Sequence, residues 1–293
     1  MRSRAVIAPF IVSLVALPVT FTVVASLYGQ AGSDRATLAL FGATVLVEAI
    51  ALAQVVRVRR LFSPGDSGHL TWTLITVFLV VRLVAEARLA TLNFQLVPRY
   101  AEGSSGGLFF YIIVLRYLYT VSDVLFIGAL ANTIRAYKST GLKFELLAQD
   151  FFYMLLVWAM PALTYLFHDN LMYSNTAGTD RYIVTFRLVT VSVGALIATL
   201  CLVVRRYVLQ MGGGAVARVW TMVVIAGIAR DASFLALALL SGRWRASAQF
   251  TEQYLLWVFS CCWLLTALFQ QEILPRASRE RVIRAAAESK AMG

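Results

Sequence analysis

Charged residues are scarce in this sequence. Only 14% of its 293 residues are Asp, Glu, Lys or Arg, whereas 60% are hydrophobic and the mean hydropathy is +0.75. Soluble domains carry about 25% charged residues, so the composition excludes ordinary cytosolic and secreted globular proteins. It predicts an all-α, polytopic membrane protein built of spanning helices.

Residues that support catalysis or cofactor binding are also few. The two histidines, His69 and His168, fall in connections at opposite membrane faces, which excludes an intramembrane haem ligand pair and a Ser-His-Asp site. All three lysines lie outside the apolar runs, which excludes a retinal Schiff base. Cys201, Cys261 and Cys262 lie within apolar runs at no metal-ligand spacing. We expect no enzymatic activity, no metal and no cofactor.

Long hydrophobic runs are plentiful. A spanning helix needs about 20 mostly apolar residues, and eight stretches meet that length, separated by short connections that leave no room for an extramembrane domain. The eight predicted spans are 5–27, 36–56, 70–94, 108–134, 147–167, 182–204, 216–240 and 251–273.

The basic residues indicate the orientation of these spans. The termini and the connections on their side hold 16 Lys and Arg, and the connections on the other side hold 5. By the positive-inside rule we expect a cytoplasmic-membrane protein with both termini in the cytoplasm. The net charge of +11 is spread over these connections, so it does not predict a nucleic-acid partner.

Weak self-similarity suggests two parallel halves of four helices each. Trp72 precedes Arg82 by ten residues, and Trp220 precedes Arg230 by ten, an offset of 148. Chance similarity among apolar helices is the alternative. The predicted division is 1–138, 139–274 and a short basic tail at 275–293.

A central proline occurs in the first span of each half, Pro18 and Pro161. Proline removes a backbone donor and frees a carbonyl for a neighbour or a ligand. Paired kinks would border the interface between the halves, where transporters built from repeats hold substrate. Prolines are also common in spanning helices, which is the plainer interpretation.

The most informative residues are ionisable groups inside the apolar runs. Each costs about 2.5–3.5 kcal/mol at a helix centre, so we expect them to face protein or water and to pair. Five arginines stand against four acids. They are Glu48, Arg82, Glu86, Arg88, Arg116, Asp123, Arg187, Arg230 and Asp231.

Their spacing places several of them on shared helix faces. Arg82 and Glu86 are four residues apart, Arg116 and Asp123 are seven apart, and Asp231 lies about a quarter-turn from Arg230. All lie near mid-membrane or in the outer half. One interpretation is a buried salt-bridge network, and the other is a water-accessible cavity open to the outer face.

The sequence thus yields a function hypothesis with alternatives. The first is a transporter-like protein that binds a small polar, anionic or amphiphilic ligand in this cavity, the bilayer being its other partner. A membrane sensor or an accessory or structural subunit, contacting a membrane or cytoplasmic protein through basic loops, is the alternative. The candidate ligand-binding residues are Arg82, Glu86, Arg116, Asp123, Arg230 and Asp231.

Overall fold

The protein is entirely helical over the residues that the computed structural model describes, which are 2–95, 105–141, 145–167, 180–210, 214–240 and 245–292. Side chains at several helix ends, including those of Arg88, Arg116 and Arg187, lie outside the description. The seven described helices are α1 (Arg2–Arg59), α2 (Ser67–Gln95), α3 (Ser105–Lys138), α4 (Ala148–Leu166), α5 (Asp180–Gln210), α6 (Gly214–Leu240) and α7 (Arg245–Met292).

Six of the described helices are long and apolar enough to cross a membrane, so the chain is a multi-pass membrane protein by length and composition. The predicted fifth span forms α4, but this 19-residue helix is not among the six. The predicted basic tail is helical and continues α7. The six segments are Ala5–Arg59, Ser67–Ala87, Tyr117–Lys138, Leu188–Gln210, Gly214–Ala236 and Ser247–Leu274.

The first of these segments is interrupted at Gly29, whose φ of 60° and ψ of −145° are not helical. Positive φ is readily adopted only by glycine. A Cβ atom on Gly32 would lie 2.8 Å from the carbonyl oxygen of Val24, eight residues earlier, whereas a continuous helix separates such residues by about 12 Å. The chain therefore turns sharply between the predicted first and second spans, although no loop separates them.

Both arms of α1 pack against α7. Along the first arm, Phe21 stacks on Phe250 with ring centroids 3.8 Å apart, and Leu14 meets Tyr254, so this arm runs antiparallel to α7. The second arm contacts α7 about 20 residues further along that helix: the Gln271 side chain donates to the Gln54 carbonyl oxygen over 3.0 Å. The arms therefore run in opposite directions on either side of Gly29.

Pro18 lies inside α1 and leaves one carbonyl oxygen without its usual partner. Because proline has no N–H, the carbonyl oxygen of Leu14, four residues earlier, loses its helical donor. The hydroxyl of Tyr254 donates to that oxygen over 2.9 Å, and the indole Nε1 of Trp257 donates to the Ser13 hydroxyl over 3.3 Å. The carbonyl freed by Pro18 is thus satisfied by a neighbouring helix.

The helices approach one another through small residues and a cluster of buried rings. Ala51, Ala129 and Ala267 are fully buried, as is typical of helix contacts in membranes. Phe78 of α2 stacks on Phe126 of α3 at 4.9 Å, and Trp263 of α7 lies 5.5 Å and 5.2 Å from the two rings. This aromatic cluster joins three helices about one helical turn away from buried charged residues on α2 and α3.

The predicted internal repeat is not confirmed. The most extensive helix packing joins α1 to α7 and α6 to α7. The first of these contacts crosses the predicted boundary between residues 138 and 139. The division into 1–138 and 139–274 therefore stays a prediction.

Candidate functional site: a buried charged centre

Arg82 lies at the middle of α2 and is held by two carboxylates. Its Nε is 3.2 Å from Oε1 of Glu48 on α1, and its Nη2 is 3.3 Å from Oε1 of Glu86, one turn further along α2. All three side chains are buried, with exposed fractions of 3% for Arg82, 1% for Glu48 and 3% for Glu86. The i,i+4 spacing seen in the sequence therefore forms an ion pair, and α1 supplies the second acid.

Aromatic rings cover the Arg82 guanidinium. The ring of Phe259 on α7 has its centroid 4.0 Å from the guanidinium carbon, and the ring of Tyr119 on α3 lies at 5.7 Å. Both distances fall within the range of cation–π attraction. Four helices thus converge on one guanidinium.

A second ion pair lies between α3 and α6. The Nη2 of Arg230 is 2.6 Å from Oδ2 of Asp123, and the exposed fractions of the two residues are 4% and 3%. This is the short distance of a charge-assisted hydrogen bond. Tyr119, whose ring lies 5.7 Å from the Arg82 guanidinium, is one turn before Asp123 on α3, so the same face of α3 meets both ion-paired groups and they form one centre.

Asp231 follows Arg230 in sequence but points toward another helix. Its side chain is fully buried, and neither carboxylate oxygen has a hydrogen-bond partner. A Cβ atom on Gly194 of α5 would lie 2.5 Å from the Asp231 Cγ, so the carboxylate occupies space that only a glycine leaves open. This agrees with the quarter-turn offset expected from the sequence.

The described side chains of the centre contain more acids than arginines. Glu48, Glu86, Asp123 and Asp231 are four carboxylates, whereas Arg82 and Arg230 are two cations. Besides both oxygens of Asp231, the Oε2 of Glu86 and the Oδ1 of Asp123 have no hydrogen-bond partner. This part of the centre therefore favours protons or cations over an additional anion.

The structure brings together most of the residues that the sequence singled out. Arg82, Glu86, Asp123, Arg230 and Asp231 all belong to the centre, whereas the Arg116 side chain lies outside the described part of the chain. The expected opening toward the outer face is not seen at the two described arginines, which are closed over by protein. Within the described residues no group of His, Cys, Asp and Glu has the arrangement of a metal site.

Three residues of the centre were not among the sequence candidates. Glu48 carried a usable signal, because it is an acid inside an apolar span. Tyr119 lies four residues before Asp123, so helical spacing could have placed it on the same face. Gly194 gave no signal, since glycines are frequent in spanning helices and nothing in the sequence assigns it a partner.

The fold and this centre define a class of protein: a polytopic helical membrane protein with ionisable groups buried near the middle of its helices. The chain matches no protein family, no curated protein and no solved structure.

Proposed function

We propose that this chain is a transporter-like protein of the cytoplasmic membrane whose charged centre binds a small polar ligand reached from the outer face. The observation that carries this proposal is the presence of six ionisable side chains buried together within an apolar helical bundle. Replacing a buried ion pair by apolar residues is often neutral or stabilising, so such groups cost stability that packing alone does not require. Ionisable groups within membranes characteristically mark ligand and ion pathways.

The proposal includes eight crossings with both termini in the cytoplasm. The two arms of α1 run in opposite directions, which supports a first and a second span on either side of Gly29. With α4 as a further crossing, the connections divide into the basic and the basic-poor sets counted in the sequence. Pro18 and Pro161 would then flank the helices that move.

The charge of the centre narrows the ligand class. Among the polar, anionic and amphiphilic ligands expected from the sequence, an anion would add to the carboxylate excess of the described side chains. A neutral polar or cationic group suits these acids better. If the ligand carries an anionic group, Arg116 is the candidate that would bind it; the Arg116 side chain lies outside the described part of the structure.

A second candidate is a membrane sensor or an accessory subunit. The burial and close pairing of Arg82 and Arg230 favour it, because a permanently closed ion-pair network needs no ligand. In such a protein the centre fixes helix register, and the basic cytoplasmic side contacts a partner. Access of water to the centre separates the candidates.

The test measures that access with a single introduced cysteine. Ser233 is buried one turn beyond Arg230, and its hydroxyl donates to the Arg230 carbonyl oxygen over 2.6 Å, so Ser233→Cys is a conservative change. It is made in a chain whose native cysteines are replaced by serine. A charged, membrane-impermeant methanethiosulfonate is added to right-side-out and to inverted vesicles, and the adduct is counted by mass spectrometry.

Labelling in both vesicle orientations would support a transporter, and labelling only from the outer side would support a sensor. No labelling from either side would contradict a ligand-accessible centre and leave the structural role. The matched control is a variant that retains only Cys201, which is fully buried in the apolar core and should stay unlabelled throughout.

A further inference from the structure

The Asp231 carboxylate is the one acid of the described centre with no ion-pair partner. Glu48 and Glu86 share Arg82, and Asp123 holds Arg230, but Asp231 is fully buried with two oxygens that accept no hydrogen bond. An ionised carboxylate left in this condition is very costly in a low-dielectric interior. The side chain therefore needs either a cation or a proton.

The surroundings of Asp231 offer little to a cation. Among the described side chains, the charged groups that act on it are Arg230, its neighbour on α6, and Asp123 on α3. Arg230 is already engaged by Asp123 at 2.6 Å. On the α5 side the carboxylate faces Gly194, whose missing side chain provides the space.

The other helices near Asp231 also offer it no cation among their described side chains. Helix α4 packs against α5 and α6, and its buried residues beyond its first turn are Val157 and Thr164, neither of which is charged. Arg187 precedes Gly194 by seven residues on α5, and its side chain is outside the described part of the structure. The test below therefore includes Arg187.

We propose that Asp231 is a proton-binding site and that the proton it carries is the coupling ion of this protein. Binding takes one proton from water to convert the carboxylate to a neutral carboxylic acid, and release returns that proton to water. No other reactant is required. Coupling rests on the proposed transport function, whereas proton binding by Asp231 does not.

The experiment on proton binding uses infrared spectroscopy of the purified full chain in phosphatidylcholine/phosphatidylglycerol nanodiscs. Wild-type protein should show the C=O stretching band of buried carboxylic acid at neutral pH, and the band should shift in D2O. Asp231→Asn, which resembles the neutral acid in shape, should fold normally and lose the part of the band that Asp231 contributes, which the difference between the two spectra isolates. Asp123→Asn should retain it, because Asp123 forms an ion pair with Arg230 at 2.6 Å and does not contribute to the band.

Three results would overturn the site: no such band in the wild type, a band of undiminished area in Asp231→Asn, or a band that appears only when Na+ is omitted. If Asp231 instead paired with Arg187, Arg187→Gln would create or enlarge the band. An unchanged band in Arg187→Gln supports the proposal. Should Asp231→Asn fail to fold, Asp231→Glu provides the second variant, since a real site moves the band without removing it.

A separate measurement of proton flux distinguishes proton binding by Asp231 from the proposed transport function. Proteoliposomes containing a pH-sensitive dye receive a potassium diffusion potential through valinomycin, and internal acidification is followed. Proton uptake by the wild type that falls at least tenfold in Asp231→Asn supports coupling. A protein that shows the carboxylic acid band but no proton flux would uphold Asp231 as a proton-binding site and overturn its role in coupling. Proton flux that survives in Asp231→Asn would overturn coupling through Asp231 and leave the proposed transport function intact.

Discussion

The ion pair between Asp123 and Arg230 gives a quantitative prediction about stability. Asp123→Asn leaves the Arg230 guanidinium buried without a counter-charge, and Arg230→Gln leaves the Asp123 carboxylate in the same condition. Breaking a buried pair from one side costs about 3–5 kcal/mol. We expect each single variant to lose that much free energy of unfolding.

The double variant should be no less stable than either single one. Asp123→Asn with Arg230→Gln contains no uncompensated charge at this position, and two amides can hydrogen-bond to each other. The expected coupling free energy is about 3 kcal/mol, at the upper end for residues in contact. The assay is reversible unfolding in mixed micelles, with increasing sodium dodecyl sulfate and helix content as the signal.

A control cycle uses two exposed charges, Glu145 and Arg218, each changed to glutamine. Exposed charges contribute little, so this cycle should be additive within about 0.5 kcal/mol. If the Asp123 and Arg230 variants were equally additive, the 2.6 Å contact would not exist in the folded protein. The centre would then lack its link between α3 and α6.

Two further predictions concern close helix contacts and use the same unfolding assay. Gly194→Ala should lower the free energy of unfolding by about 1–3 kcal/mol, because its Cβ overlaps the Asp231 carboxylate. Adding Asp231→Ala should recover most of that loss. A Gly194→Ala protein as stable as wild type would contradict the contact. Tyr254→Phe should lose about 0.5–1.5 kcal/mol through its hydrogen bond to Leu14. In a Pro18→Ala background the restored N–H satisfies that carbonyl, so the loss should shrink, and an equal loss in both backgrounds would refute this account.

Hydropathy predicted the all-helical, membrane-spanning architecture but not the number of helices, and the apolar setting and helical spacing of the charges predicted most of the residues that meet in the charged centre. The pairing of Arg82 with Glu86 followed from their i,i+4 spacing, and the direction of Asp231 followed from its quarter-turn offset. These are local properties of one helix, so the sequence of that helix suffices to predict them.

Partners on other helices could not be predicted in the same way. Nothing in the sequence assigns Glu48 to Arg82 or Asp123 to Arg230, because apolar helices of similar composition can be packed side by side in many orders. The form of the turn between the first two predicted spans could not be predicted either. A single residue with positive φ, Gly29, takes the place of the loop that the composition suggested. The unsatisfied oxygens of Asp231 depend on the α5 backbone, which no local pattern reveals.

The packing of α1 on α7 has a consequence for biogenesis. The ribosome delivers α1 to the translocon well before α7, yet α1 has its most extensive contacts with α7, and Phe259 of α7 covers the Arg82 guanidinium. A nascent chain halted before α7 leaves the Arg82 guanidinium without its Phe259 cover, exposed to lipid or to the insertion machinery, at a cost of about 2.5–3.5 kcal/mol per exposed charge. Insertion of α7 therefore completes the bundle, and a chain that stalls earlier presents a charged groove that membrane quality control can recognise.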